Sequence, residues 1–160
     1  MSRRCVGVSV ALALVACRPA PAQLTGEQAH AIVDSVAAAF SDYVARLNAR
    51  DVDSVMRFYL SDSAFVWLED GAVRYRSPAE IRPALDRLKS YRNVRFSFDA
   101  PLIVAQGPGA ATINSTFDQS LVDSAGGGFA LVGAISVAAR HTPAGWKWAT
   151  GHTSVRREAR

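Results

Sequence analysis

Cysteine is almost missing from this chain: only Cys5 and Cys17 carry a thiol, and both lie near the start. A disulfide framework is therefore excluded for everything after them, and with it the small folds that depend on one. Histidine is scarce as well, with His30, His141 and His152 scattered far apart. Neither set has metal-ligand spacing, so no metal site is expected. There is no Gly-x-Ser-x-Gly elbow and no glycine-rich dinucleotide fingerprint, and no cofactor is expected. Gly126-Gly127-Gly128 is followed by no helix and no Lys-Ser/Thr pair, which excludes a phosphate cradle and leaves a flexible hairpin. The net charge of +4 comes from 18 basic and 14 acidic residues. The arginines are dispersed, without a basic stripe interleaved with aromatics, which argues against nucleic acid as a partner. No apolar run approaches the ~20 residues of a membrane-crossing helix, and no internal repeat is present.

The one notable apolar run is Val6 to Ala16, preceded by Arg3 and Arg4. That is the layout of a secretory signal. Leu14-Val15-Ala16-Cys17 matches a lipobox, in which the chain resembles bacterial lipoproteins. The resemblance implies a signal peptide over residues 1–16 and lipidation of Cys17. The competing reading is an ordinary cleavable signal beside a chance cysteine. Residues 17–24 are then a tether, stiffened by the prolines of Arg18-Pro19-Ala20-Pro21. The expected address is the bacterial cell envelope, exported and lipid-anchored. Arg18 directly after the cysteine resembles the sorting pattern for the periplasmic face of an outer membrane, in a cell that has two membranes. Removing 16 of 160 residues leaves 144, with sixteen basic against fourteen acidic side chains. One domain of that size buries about two-thirds of its unfolded surface, enough for a core without disulfides.

Residues 25–155 read as that domain, with 156–160 a solvated tail. Thr25-Gly26-Glu27-Gln28 forms a capping box, and Ala29, Ile32, Val33, Val36, Ala37, Phe40 and Leu47 recur at helical spacing. Asp51 is placed to cap a second helix whose apolar face is Val52, Val55, Met56 and Tyr59. Ala64 to Leu68 is branched and aromatic, as a buried strand should be, and Glu69-Asp70-Gly71 turns it into a return strand over Ala72 to Arg76. Ser77-Pro78-Ala79-Glu80 starts a third helix, interrupted by Pro83. From Asn93 the pattern becomes period two, with strands expected near Val94–Phe98, Leu102–Gln106, Ala110–Leu121, Phe129–Ala139 and Trp146–Val155.

Tyr-x-x-x-Leu-Asn-Ala-x-Asp-x-Asp from Tyr43, a short helix, then Asp62-x-Ala64-Phe65-Val66 and a glycine turn resembles the SnoaL-like branch of the nuclear transport factor 2-like superfamily. Gly145-Trp146-Lys147-Trp148 followed by His152-Thr153-Ser154 is similar to that branch's last strand. The resemblance covers roughly Thr25 to Val155. It implies an α+β fold, a curled antiparallel sheet wrapped around three helices, with a pocket at the open end of the cone.

The expected pocket residues are Tyr43, Tyr59, Phe65, Trp67, Asn114, Trp148 and His152. Strict alternation puts Trp146, Trp148, Thr150, His152 and Ser154 on one face. The tryptophans make that face concave, so His152 is expected to point inward; the alternative is a satisfied histidine at a sheet edge. Thr112, Asn114, Thr116 and Asp118 share another face, either the outside of the sheet or a polar pocket wall. The outside is favoured because Ile113 and Phe117 oppose it. Tyr43 matches the helix-one tyrosine that donates to an oxyanion in ketosteroid isomerases, while the position of their general-base aspartate is occupied by Trp67. A tyrosine without a base polarises a carbonyl but moves no proton between carbons. The Trp67 N–H is expected to take Tyr43, Asn114 or Asp118 as its partner.

Three functions follow. One is a non-catalytic module binding a small, mostly apolar ligand. Another is a dehydratase, isomerase or cyclase using Tyr43, Asp118 and His152. The third is a structural or dimerisation domain with a residual pocket. The missing base favours the first and third over the enzyme. A pocket of several hundred cubic ångströms holding a buried carboxylate would restore the enzyme reading. Expected partners are the membrane through Cys17, the small ligand, and a second copy of the chain, because only one face of the 129–139 strand can line the cone.

Overall fold

The computed structural model describes residues 23–156. The expected signal peptide, Cys17, most of the expected tether and residues 157–160 lie outside them. Helix α1 (Gly26–Ala49) opens with the anticipated capping box: Gln28 N–H donates to Thr25 Oγ1 and Thr25 N–H to Gln28 Oε1. Arg50, in the left-handed conformation with φ 56°, ends it. Asp51 then caps α2 (Val52–Met56) by accepting from Ser54 N–H at 3.2 Å.

Helix α2 is shorter than its apolar spacing predicts. Tyr59 leaves the helix and forms a parallel bridge with Trp148, with Trp148 N–H donating to Phe58 C=O and Leu60 N–H to Trp148 C=O. Pairing with a strand satisfies those backbone groups, and competes successfully with a second helical turn.

Strands β1 (Val66–Glu69) and β2 (Ala72–Tyr75) form the first hairpin. Helix α3 (Pro78–Asp86) carries Pro83 and tightens into a 3-10 turn over Arg87–Ser90. Its cap differs from the expected form. Glu80 reaches past Ser77 to accept from Arg76 N–H at 2.9 Å, while the Ser77 hydroxyl donates to the same carboxylate. Strands β3 (Asn93–Phe98), β4 (Leu102–Gly107), β5 (Ala110–Val122), β6 (Gly128–Thr142) and β7 (Gly145–Val155) complete the chain.

These seven strands make one curled, unclosed sheet in the order β2-β1-β7-β6-β5-β3, with β4 also on β5. All pairs are antiparallel except β1 with β7, which runs parallel from Val66 opposite Thr150 to Glu69 opposite Thr153. Helix α1 lies inside the curl against β3, β4 and β5. At its end the Asn48 side chain donates to Phe96 C=O at 3.0 Å and accepts from Phe96 N–H at 2.7 Å. A side-chain amide thus occupies a stretch of strand edge that would otherwise go unpaired. The core is the space between sheet and helices, filled by Val36, Phe40, Ile113, Phe117, Ile135 and Trp148 among others.

One irregularity decides which residues face inward. Ala138 pairs with Thr150 but Ala139 pairs with Trp148, so Ala149 is an extra residue in β7. Such a bulge reverses the alternation beyond it. Trp146 and Trp148 are buried, and after them the buried or cavity-facing positions are Ala149, Gly151, Thr153 and Val155. His152 is therefore exposed, contrary to the expectation from strict alternation.

Candidate functional site

A cavity of about 400 Å³ opens between the curl of the sheet and α3. Ile81, Ala84, Leu85 and Leu88 form one wall; Phe96, Phe98 and Phe117 come from β3 and β5, and Leu131 and Ile135 from β6. Tyr43, Tyr59, Tyr75, Trp67, Glu69, Asp70, Gln119 and Thr153 contribute its polar groups and further rings. Most of the lining is hydrocarbon with a few convergent polar groups, the usual composition of a small-molecule site.

Two glycines make this lining possible. A Cβ on Gly151 would lie 2.1 Å from the Trp67 ring, and one on Gly133 would lie 2.6 Å from Phe117. Each ring rests on bare backbone of the neighbouring strand, where no larger residue fits.

Tyr43 and Tyr59 share a hydrogen bond of 3.0 Å between their hydroxyls. Whichever donates, one of the two phenolic protons is used in the pair and the other is left for an acceptor. Burial pushes Tyr43 up to about 12, partly offset by the bond from Tyr59. Burial also raises Tyr59, helped by its proximity to Tyr43 and by the negative charge of Glu69. Both stay neutral donors at ordinary pH. The Trp67 ring stands edge-on to Tyr59, with centroids 5.7 Å apart. Its N–H donates to Thr153 Oγ1 at 3.4 Å, rather than to Tyr43, Asn114 or Asp118. The tyrosine pair is thus not consumed by the indole.

Glu69 is the group that sequence reasoning left in the turn after the first strand. It is two residues beyond Trp67 on the same face of β1, and it lines the cavity. Desolvation holds its carboxyl above the usual carboxylate range, against the weaker opposing pull of Arg74, 3.9 Å away. Period two along β1, applied once more past Trp67, would have found it.

The other expected residues divide. Phe65 and Trp148 are buried but do not reach the cavity: Phe65 packs edge-on to Tyr59 and Trp148 edge-on to Tyr43. Trp148 is fully buried, and its indole N–H has no hydrogen-bond partner among the described residues. Asn114 faces outward, where its Oδ1 accepts from the Ser136 hydroxyl at 2.8 Å. Asp118 and His152 are exposed on that outer face, because Ile113 and Phe117 take the inside of β5 and the bulge at Ala149 turns β7. The Tyr43, Asp118 and His152 combination is not assembled. Among the described residues, no three His, Cys, Asp or Glu side chains stand together as a metal site would need.

The fold is that of nuclear transport factor 2-like proteins. A superfamily member from Salmonella enterica serovar Typhimurium superposes with a TM-score of 0.69 at 15% identity, covering 82% of this chain and 95% of that one. A candidate scytalone dehydratase from Novosphingobium aromaticivorans gives 0.74 at 9% identity, covering 83% and 89%. A ketosteroid isomerase-like protein from Erwinia carotovora atroseptica gives 0.60 at 15% identity, covering 78% and 96%. No protein-family model matches the sequence, and no curated protein matches it.

Proposed function

We propose that the chain binds a small, mostly apolar molecule carrying one hydrogen-bond acceptor, seated in the cone with its acceptor at the Tyr43–Tyr59 pair. The observation that carries this is the combination of an apolar cavity of about 400 Å³ with a hydroxyl pair that retains one free proton. A paired test separates the acceptor from the hydrocarbon. Titration with 2-tetralone and with tetralin should show tighter binding of the ketone. That preference should vanish in the double variant Tyr43→Phe with Tyr59→Phe, while tetralin binding persists. Equal affinity for the two compounds in the parent contradicts the placement of the acceptor.

A second reading, proton transfer on a bound carbonyl compound, is favoured by Glu69. A partly desolvated carboxylate with a raised pKa, lining the same cavity as neutral phenol donors, supplies the parts of a general base and an oxyanion stabiliser. It differs from the expected enzyme in residue, since Glu69 takes the role given to Asp118 and His152. Deuterium exchange at the α-carbons of 2-tetralone in D2O measures it directly. Exchange above the buffer rate that disappears in Glu69→Gln supports catalysis; exchange at the buffer rate restricts the protein to binding.

The proposed setting is the cell envelope, tethered through a lipid on Cys17. Its support is the lipobox Leu14-Val15-Ala16-Cys17. Incorporation of a fatty-acid probe into the parent, and not into Cys17→Ala, tests it.

A further inference from the structure

A second cleft, also of about 400 Å³, lies along a different stripe of α1, between Ser35, Ala39, Asp42 and Arg46, the segment after α2, and the β6–β7 hairpin. It shares no lining residue with the cone cavity. Its cations are Arg46, Arg57 and Lys147, and its one carboxylate is Asp42. That carboxylate is taken: Arg46 holds it at 3.0 Å and reaches Asp51 at 3.5 Å. Arg57 and Lys147 have no carboxylate within ion-pair distance among the described residues. Asp51, the acid whose charge Arg57 feels, is already engaged by Ser54 and Arg46.

Backbone pairing forces these two cations together. The Tyr59–Trp148 bridge sets the chain after α2 beside β7, and Lys147 Nζ donates to Arg57 C=O. That bond uses one ammonium proton and leaves two for other acceptors. Partial burial, then the Arg57 charge, hold the Lys147 ammonium below the usual lysine range. Nearby, Ser35 Oγ accepts from the Trp146 N–H at 3.0 Å, which leaves its own proton for another acceptor. Phe58, half-buried, supplies an apolar surface to the same cleft. Two like charges held close in a concavity whose one acid, Asp42, is already paired with Arg46 make a positive potential that an anion would neutralise.

We infer that this cleft is a binding site for a small oxyanion, the carboxylate or phosphate group of a small molecule, held by Lys147 and Arg57. Arg57 supplies planar paired donors and Lys147 a compact charge, the combination suited to oxygen anions. The site is independent of the cone: either can be present without the other.

The chain has only two lysines, Lys89 and Lys147, so one labels against the other. The full-length protein in non-ionic detergent is treated with acetic anhydride while inorganic phosphate or benzoate is titrated at constant ionic strength, and each lysine is followed by mass spectrometry. Either anion should slow acetylation of Lys147 in a saturable manner and leave Lys89 unchanged. Preference between the two tells phosphate from carboxylate. In calorimetric titrations, Lys147→Met and Arg57→Gln should each weaken binding at least about tenfold, the usual worth of a charged hydrogen bond. Arg95→Gln, an exposed cation on β3, should have no effect. Failure of both anions to protect Lys147, or equal protection of Lys89, overturns the site, and this outcome needs no variant to fold.

Discussion

At the scale of single residues, Trp67 and Gly151 form the contact on which the cavity wall depends. The indole rests on bare backbone, so Gly151→Ala must push ring or strand aside, costing about 1–3 kcal/mol as overpacking does. Trp67 is 5% exposed, and Trp67→Ala should cost about 3–5 kcal/mol. In the Trp67→Ala background the alanine at 151 meets no ring, and its cost should largely disappear. Denaturant midpoints for the two single variants and the double variant measure that coupling; simple additivity would mean that the ring does not lie on Gly151.

Glu69 makes a prediction of a different kind. Its folded-state pKa is raised, so between the usual carboxylate value and that higher one the folded chain holds more proton than the unfolded chain. Stability contributed by the protonated form is full below the usual value and is lost as pH rises through the folded value. Glu69→Gln should abolish this decline and melt higher than the parent at neutral pH. Melting temperatures from about pH 4 to pH 8 test it, and a variant that melts lower at neutral pH would show the charged carboxylate to be stabilising.

Among the elements, α1 and its capping box were legible because helical period and caps are local properties of the chain. The outward face of β5 was legible only in part: Ile113 and Phe117 against Thr112, Asn114, Thr116 and Asp118 favour it, yet Asn114 was expected at the pocket and Asp118 in the enzyme alternative. The end of β7 was not. One extra residue, Ala149, reverses Thr150 to Val155, and nothing in Lys147-Trp148-Ala149-Thr150 marks a bulge. The bulge follows from the register with β6, which is a property of two strands. Gly151 was a usable sign, since a glycine inside a strand often marks a close approach, here by Trp67. The short α2 has the same origin: Tyr59 has the right helical spacing, but its backbone is claimed by Trp148.

Strand β6 carries the proposed pairing of two copies. Its inner face holds Leu131, Ile135 and Val137, while Ala130, Val132, Ala134, Ser136 and Ala138 are exposed and uncharged. Val132 is 41% exposed near the middle of that surface. Sedimentation of the parent at micromolar concentration should give a dimer, and Val132→Arg a monomer with unchanged circular dichroism. A monomeric parent ends the proposal.

At the scale of the whole molecule, one curled sheet divides its labour between two faces. The inner face and α3 enclose an apolar cavity with a tyrosine pair and Glu69, while Asp118 and His152 are left outside it. The most direct test fills that cavity. Ala84 lines it from α3, and tryptophan is tolerated on a helix, so Ala84→Trp should occupy the space that a ligand needs. Calorimetric titration with 2-naphthol should give one saturable site in the parent, unchanged by Asp118→Asn or His152→Ala and lost in Ala84→Trp. Absence of saturable binding in the parent, or binding that Ala84→Trp leaves intact, would contradict the assignment of this cavity as the ligand site.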